Sequence, residues 1–393
     1  MKRKPDIEIA DIFRQYFSEY KKNYNVPDHL RKVVNAIISC RTARLGGHVE
    51  ICEDCGHAQI SYNSCRNRHC PKCQFVKKEK WVLEKNSDVL PIEYFHVVFT
   101  VPDKLNLLMY RNGKSLYGLL MRSAGKAITE LGKEPRFLEG KTGAICVLHT
   151  WGQKLELHPH AHAIAAGGAL SFNRKKWVSC KRGYFLPVKV LSKRFRRIFL
   201  DGLKHLYGSN QLYLKGALGA YKEGKVFQQF IDDLYETDWV VYAKKPFGNV
   251  NTVIQYLSRY THRIAISNYR ILRIEDGRIF FRFRDYRDAN RQKVMSLSAV
   301  EFIRRFLLHV LPFRFVKIRY VGLLSNRTRE ENIRLCRELL EVKPEEVPQQ
   351  QVYADFAEFL LHVFGFDVRR CPECNGRLVL RRELPVQRYI RAP

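Results

Sequence analysis

The segment Leu155–Gly168, LELHPHAHAIAAGG, sets His158, His160 and His162 at every second position of an otherwise apolar run. Side chains two apart on a β-strand point to the same side, so the spacing predicts three imidazoles on one strand face. Ring nitrogens in an apolar layer each need a partner, and a shared divalent cation would supply one. Alone, His160-Ala161-His162 is a short pattern that many structural strands contain. Farther along, YLSRYTHR places Tyr256 and Tyr260 four residues apart on a predicted helix. That spacing puts them on one face, with β-carbons about 5–6 Å from each other. An aromatic stripe facing a core would look the same, but Arg259, His262 and Arg263 crowd this helix, which is unusual for a structural face. A tyrosine hydroxyl, with its ordinary pKa of about 10, is a poor nucleophile at neutral pH. Attack on a phosphodiester needs a cation to polarise the scissile phosphate. The strand would supply the cation and the helix the nucleophile.

A second chemical segment is CRTARLGGHVEICEDCGHAQISYNSCRNRHCPKC, from Cys40 to Cys73. Cys52-x2-Cys55 and Cys70-x2-Cys73 are two knuckles at close to the spacing of a four-cysteine zinc ribbon. Each pair makes a tight turn aiming two thiolates at one ion, and two turns complete a tetrahedron. The leftover groups Cys40, His48, Cys65 and His69 are candidates for a second zinc site. Arg66, Arg68, Lys72, Lys77 and Lys78 surround the cluster and suit phosphate contact, although a solvated charged face would read alike. Cys371-x2-Cys374 is half a knuckle without a second CxxC nearby; it either borrows ligands or binds nothing.

The elements that must position these groups follow from periodicity. Ile9, Ile12, Phe13, Tyr16, Phe17 and Tyr20 form one helical stripe, and Leu30, Val33, Val34, Ile37 and Ile38 a second. EYFHVVFTVP, TGAICVLHTW, LHPHAHAIAA and DWVVYAKKPF read as strands, the middle two adjacent and antiparallel. YRILRIEDGRIFFRFRDY reads as a hairpin around Asp276-Gly277. Helices are expected near 76–90, 103–131, 189–206, 297–310, 327–342 and 352–365. The fold class is therefore α+β: N-terminal helices and a zinc-ribbon-like domain, then a mainly antiparallel central sheet flanked by helices. Three successive segments are expected, at 1–90, 91–290 and 291–393.

Charge narrows the partner. The 393 residues include 69 Lys+Arg against 39 Asp+Glu, a net charge of +30, with 46% apolar and 12% aromatic residues. This describes a folded protein with a polyanionic partner, nucleic acid first and an anionic membrane surface second. No apolar run approaches the roughly 18 residues of a membrane span, and MKRKPDIEIADIF lacks the apolar stretch of a secretory signal. A cytoplasmic location is expected, where the 11 cysteines serve better as ligands than as disulfides.

Taken in order, SCRNRHCPKCQ, HTWGQ…HPHAHAIAAGG and WVVYAKKPF…YLSRYTHRIAISN resemble the two-tyrosine HUH transposases of the insertion sequence 91 type. The resemblance runs from about Val33 to Asn268, with a weaker continuation to the terminal CPEC. It implies a zinc-binding domain followed by an HUH endonuclease domain acting in the bacterial cytoplasm on the nucleoid. It implies cleavage and joining of single-stranded DNA through a 5′-phosphotyrosine, with Mg²⁺ or Mn²⁺ and no ATP. Carried onto this chain, His160 and His162 are the HUH pair and Tyr256 and Tyr260 the nucleophiles, with Arg259 and Arg263 beside them on the DNA. Gln153 is the favoured third metal ligand, with His149, His158 and His262 competing. No GxxxxGK[ST] loop is present, in keeping with energy conserved in the phosphotyrosine ester. Two other readings stay open: an HUH replication initiator or relaxase, and a non-enzymatic zinc-ribbon nucleic-acid-binding protein.

Overall fold

A computed structural model describes residues 5–86, 88–244, 258, 261–262, 264–286, 288–344, 347 and 352–387. In chain order its strands are β1 (Gly47–Cys52), β2 (Ala58–Tyr62), β3 (Tyr94–Thr100), β4 (Gly140–Lys141), β5 (Gly143–Trp151), β6 (Leu157–Ala166) and β7 (Gly168–Ser171). These are followed by β8 (Trp177–Ser179), β9 (Val241–Lys244), β10 (Ile271–Glu275), β11 (Arg278–Asp285), β12 (Arg291–Ser298), β13 (Ile318–Gly322) and β14 (Leu378–Leu384). The α-helices are α1 (Ile9–Asn23), α2 (Asp28–Ser39), α3 (Pro71–Asn86), α4 (Asn106–Arg111), α5 (Gly113–Lys133), α6 (Val188–Gly208) and α7 (Gly224–Glu236). Three more follow: α8 (Ala299–Leu308), α9 (Arg329–Leu339) and α10 (Phe356–Phe364).

The chain forms two compact units, neither continuous in sequence. One comprises 1–84, 266–310 and 350–393; the other comprises 85–265 and 311–349. The three successive segments expected from sequence are thus interleaved. Strand pairing is the reason: β13 adds to the edge of the sheet built from β3, β5, β6 and β9, while β14 pairs with β1.

In the first unit the two sequence stripes do bury. Ile9, Ile12, Phe13, Phe17 and Tyr20 of α1 and Leu30, Val33, Val34 and Ile37 of α2 are all buried, and Phe13 meets Phe306 of α8 edge-on at 5.4 Å. Lys72 Nζ bonds the Glu8 carboxylate at 2.7 Å, tying the start of α3 to the start of α1. Strands β14, β1 and β2 form one antiparallel sheet, with β1 in the centre. A second sheet, β10–β11–β12, includes the expected hairpin. Its turn residues Asp276 and Gly277 both have positive φ, 48° and 70°, the pairing a two-residue primed turn needs.

The second unit is organised by a five-stranded antiparallel sheet in the order β13-β5-β6-β3-β9. One face is apolar: Ala161, Ala163 and Ala165 of β6, Ala144 and Leu148 of β5, and Phe95, Val97 and Phe99 of β3 share a buried cluster with the inward residues of α5 and α6. The alternate residues of the same strands, His96, His149, His160 and His162 among them, take the opposite face.

Phe99 is 0% exposed and meets Phe195 of α6 edge-on at 5.0 Å. Phe99→Ala should therefore lower the unfolding free energy of this unit by about 3–5 kcal/mol, read from denaturant titration. A change below about 1 kcal/mol would mean that this face is not the core.

Candidate active site and metal centres

The histidine face is assembled by register. His149 of β5 lies directly opposite His160 of β6, and His162 stands one pleat farther along. A register shift between His149 and Trp151 separates the paired strands from the turn that follows. The rings converge: centroids of His149 and His162 are 4.5 Å apart, His160 and His162 4.8 Å, and His149 and His160 5.5 Å. One nitrogen from each of the three lies within 4.8 Å of the others. His149 and His162 are buried and His160 is half-buried, so the cluster opens towards solvent on the His160 side.

Hydrogen bonds decide which nitrogens point inward. His160 Nδ1 lies 2.6 Å from its neighbour's carbonyl, His158 O, so it carries the proton and leaves Nε2 with a lone pair. His160 Nε2 stands 3.1 Å from His162 Nε2. On its other side, His162 Nδ1 lies 2.8 Å from Nε2 of His96 on β3. Burial, helped by the charge of Lys244 and by His160, pushes His96 down to about 3, so it stays neutral across the physiological range. Two proton arrangements satisfy these contacts. Without a cation, His96 donates to His162, which donates to His160. With one, His162 Nε2 gives up its proton to become a ligand and Nδ1 donates to His96 instead. Two nitrogens about 2.0–2.1 Å from one ion stand about 3.0 Å apart at right angles and about 3.4 Å apart in a tetrahedron; the 3.1 Å separation fits that range. The residues present therefore suit a divalent cation.

Gln153 lies in the turn between β5 and β6 and is half-buried; the third convergent nitrogen comes from His149. His158 is on the same strand but faces Asp103, with Nδ1 3.6 Å from its carboxylate. His262, 3.0 Å from the Thr261 hydroxyl through Nδ1, is not in the cluster either. Tyr256, Tyr260, Arg259 and Arg263 lie outside the described residues.

The cysteines form two tetrads, but the ribbon expected from Cys52, Cys55, Cys70 and Cys73 is not one of them. Cys70 and Cys73 gather with Cys40 and Cys65, while Cys52 and Cys55 gather with Cys371 and Cys374. The cause is again long-range. The end of α2 carries Cys40 to 3.6 Å from Cys73, and Cys65 stands 3.7 Å from the same sulfur. His48 and His69 join neither tetrad: His48 faces Glu50 at 3.7 Å, and the His69 N–H donates to the Asn67 side chain. Four sulfurs about 2.3 Å from one ion stand about 3.8 Å apart, far beyond the roughly 2.05 Å of a disulfide. Hydrogen bonding with the Cys40 thiol pulls Cys73 down and pushes Cys70 up.

Two family descriptions match this chain: "Transposase zinc-binding domain", of the insertion sequence 91 type, over residues 12–101, and "Putative transposase" over 143–332. "Putative transposase y4qJ" of Sinorhizobium fredii is 44% identical over 374 residues, covering 95% of this chain and 94% of the relative. "Transposase for insertion sequence element IS801" of Pseudomonas savastanoi pv. phaseolicola is 26% identical, over 88% and 82% of the two chains. The chain belongs to the transposases of the insertion sequence 91 type. No solved structure matches it.

In the transposase, the zinc-binding match contains Cys40, Cys52, Cys55, Cys65, Cys70 and Cys73 and supports structural zinc; it ends long before Cys371. The other match contains His149, His160 and His162 together with Tyr256 and Tyr260. His96 carried only a weak sequence signal, one imidazole in an apolar strand. A basic face was also missed. Arg278, Arg282 and Arg284 alternate along β11 with buried Ile279, Phe281 and Phe283, and Arg273 of β10 lies 3.8 Å over the Phe280 ring. The alternation RIFFRFR was the available sign. Among the described residues, no helix of the transposase is long and apolar enough to cross a membrane.

His96→Leu removes the acceptor that holds His162 Nδ1–H but leaves the three convergent nitrogens. Mn²⁺ affinity of the reduced transposase should fall about 10–100-fold, measured by electron paramagnetic resonance titration, and His149→Ala should cost at least as much. Unchanged binding in both variants would show that the cation is held elsewhere.

Proposed function

We propose that this transposase cuts and rejoins single-stranded DNA through 5′-phosphotyrosine links on Tyr256 and Tyr260, in rolling-circle transposition. The observation that carries this reading is the convergence of His149, His160 and His162 on one sheet face. The tyrosines sit in the segment that follows β9, whose last residue, Lys244, pairs with His96 beside the histidine face. Their four-residue spacing supports two hydroxyls on one helical face.

A divalent cation, when bound, polarises the scissile phosphate. Three neutral imidazoles suit Mn²⁺ better than Mg²⁺, which prefers oxygen ligands. His160 and His162 would hold the ion through Nε2, with His96 and the His158 carbonyl against the other nitrogens of the two rings. The oxygen of one tyrosine attacks phosphorus, the P–O3′ bond breaks, and the leaving 3′ oxygen takes up a proton. The tyrosyl ester keeps the energy of the broken bond, so attack by a 3′-OH reseals the strand and returns the tyrosine. A second tyrosine four residues away cuts a second strand while the first 5′ end is still held.

The +30 charge supports a phosphate-dominated interface. Arg66, exposed beside the first thiol tetrad, and the outward arginines of β11 are the described candidates for that contact, with Arg68 half-buried near the former.

The decisive test uses a 3′-labelled oligonucleotide from the element's ends, on a denaturing gel with Mn²⁺. Wild-type protein should give a covalent adduct, while Tyr256→Phe with Tyr260→Phe binds DNA but forms none. Each single variant should form the adduct yet fail at complete strand transfer. A non-enzymatic DNA-binding protein would show no adduct in any variant, and robust adduct from the double variant would eliminate this mechanism. In a separate measurement, Arg278→Ala with Arg282→Ala should reduce the log–log salt slope of single-strand binding by about 0.7 for each phosphate that is no longer neutralised. An unchanged slope would remove β11 from the interface.

A further inference from the structure

Cys52 and Cys374 are 322 residues apart in sequence and 3.4 Å apart at sulfur. Cys55 and Cys371 stand 3.7 Å apart, and all four sulfurs lie within 4.8 Å of one another. The backbones around the two CxxC turns are equivalent. In the first, the Gly56 N–H donates to Cys52 O at 3.1 Å and the Cys52 N–H to His57 O at 2.9 Å. In the second, the Asn375 N–H donates to Cys371 O at 2.9 Å and the Cys371 N–H to Gly376 O at 2.8 Å. The residue after each second cysteine is left-handed, Gly56 at φ 69° and Asn375 at φ 63°, the residue types that tolerate this conformation. Backbone N–H groups also point at the sulfurs, among them Gly376 N–H at Cys374 Sγ, 3.4 Å away.

These are two copies of one metal-binding turn meeting face to face. Both belong to the same compact unit, and strand pairing aligns them: Cys52 at the end of β1 pairs with Leu378 at the start of β14. Cys371 is buried with Cys52 and Leu378, so the turn is docked and not loosely adjacent. Four thiolates in a tetrahedron select zinc among the divalent ions a reducing compartment supplies.

We infer that Cys52, Cys55, Cys371 and Cys374 bind a second structural zinc ion, which clasps the C-terminal β14 segment onto β1 of the zinc-binding domain. The domain is then discontinuous. Among the described residues, 12–101 contain one complete tetrad, Cys40, Cys65, Cys70 and Cys73, and the second ion depends on a turn contributed from the far end of the described chain. Each ion replaces proton-sharing thiols with neutralised thiolates, and the clasp holds β14 at the edge of a sheet that would otherwise consist of β1 and β2.

The experiment measures zinc per chain by mass spectrometry in full-length protein purified under reducing conditions. Wild type should carry two ions. Cys371→Ser with Cys374→Ser should carry one, and adding Cys52→Ser should still leave one, because all three residues serve the same ion. Adding Cys40→Ser and Cys65→Ser to the Cys371/Cys374 pair of changes should leave none. The retained ion in the first variant reports that the rest of the domain folds. Cys371→His, which keeps a competent ligand, should keep two ions, and limited proteolysis should release the β14 segment from the Ser variants but not from this one. Zinc absorption spectra should show four sulfurs at about 2.3 Å for both wild-type ions. One zinc in wild type, two in Cys371→Ser/Cys374→Ser, or iron in place of the second zinc would each overturn the assignment. So would a Cys52–Cys374 or Cys55–Cys371 disulfide found by peptide mapping of the reduced preparation.

Discussion

The alternation of alanine and histidine along β6 is the constraint on which the second unit depends. Ala161, Ala163 and Ala165 are all 0% exposed and have almost no side chain, so the covering helices can pack close to the sheet backbone. The same pleat sends His160 and His162 to the other side. A slip of one residue would put imidazoles against α5 and alanines at the site, so core packing and site geometry are fixed by a single register. Leu155, fully buried at φ 61°, marks the turn that sets this register against β5. A leucine is held in that region only where its surroundings over-determine it.

Local periodicity made much of this legible. The α1 and α2 stripes, the β10–β11 hairpin and the adjacency of β5 and β6 all follow from patterns within about twenty residues. What could not be read was partnership across distance. Two CxxC pairs separated by 14 residues look like one ribbon, yet the strand that completes Cys52 and Cys55 arrives with β14. Sequence favours Gln153 as the third ligand for its place seven residues before His160 on the partner strand, where related replication initiators carry an acidic ligand; the register before the irregularity at Trp151 sets His149 opposite His160. The interleaved units have the same origin, since β13 and β14 are short strands whose sequence says little about which sheet they join.

His96 shows why a residue that touches no ligand can still matter for the site. Deep burial keeps it neutral, and a neutral imidazole can be donor or acceptor at Nε2 according to its tautomer. It therefore satisfies His162 both in the cation-free relay and in the cation-bound arrangement. A charged or purely donating residue there would lock His162 Nδ1 as an acceptor, leaving the proton on Nε2, where the ligand lone pair must be.

Donor chemistry also keeps the metals apart. By intrinsic affinity, zinc outcompetes manganese for imidazole, so a triad of histidines in a zinc-containing protein invites the wrong ion. The thiol tetrads answer this within the same chain. Thiolates are softer than imidazole and, four to an ion, hold zinc more tightly than three ring nitrogens do. Zinc arriving during folding is drawn first to the sites whose closure stabilises the first unit, because binding there is coupled to folding. The histidine triad, partly open at His160 and built on a sheet whose opposite face is already packed by apolar contacts, has no such folding energy to offer. On the proposed reading its occupancy would follow the exchangeable ions around it, as suits a centre that meets a phosphate in each cycle and releases it.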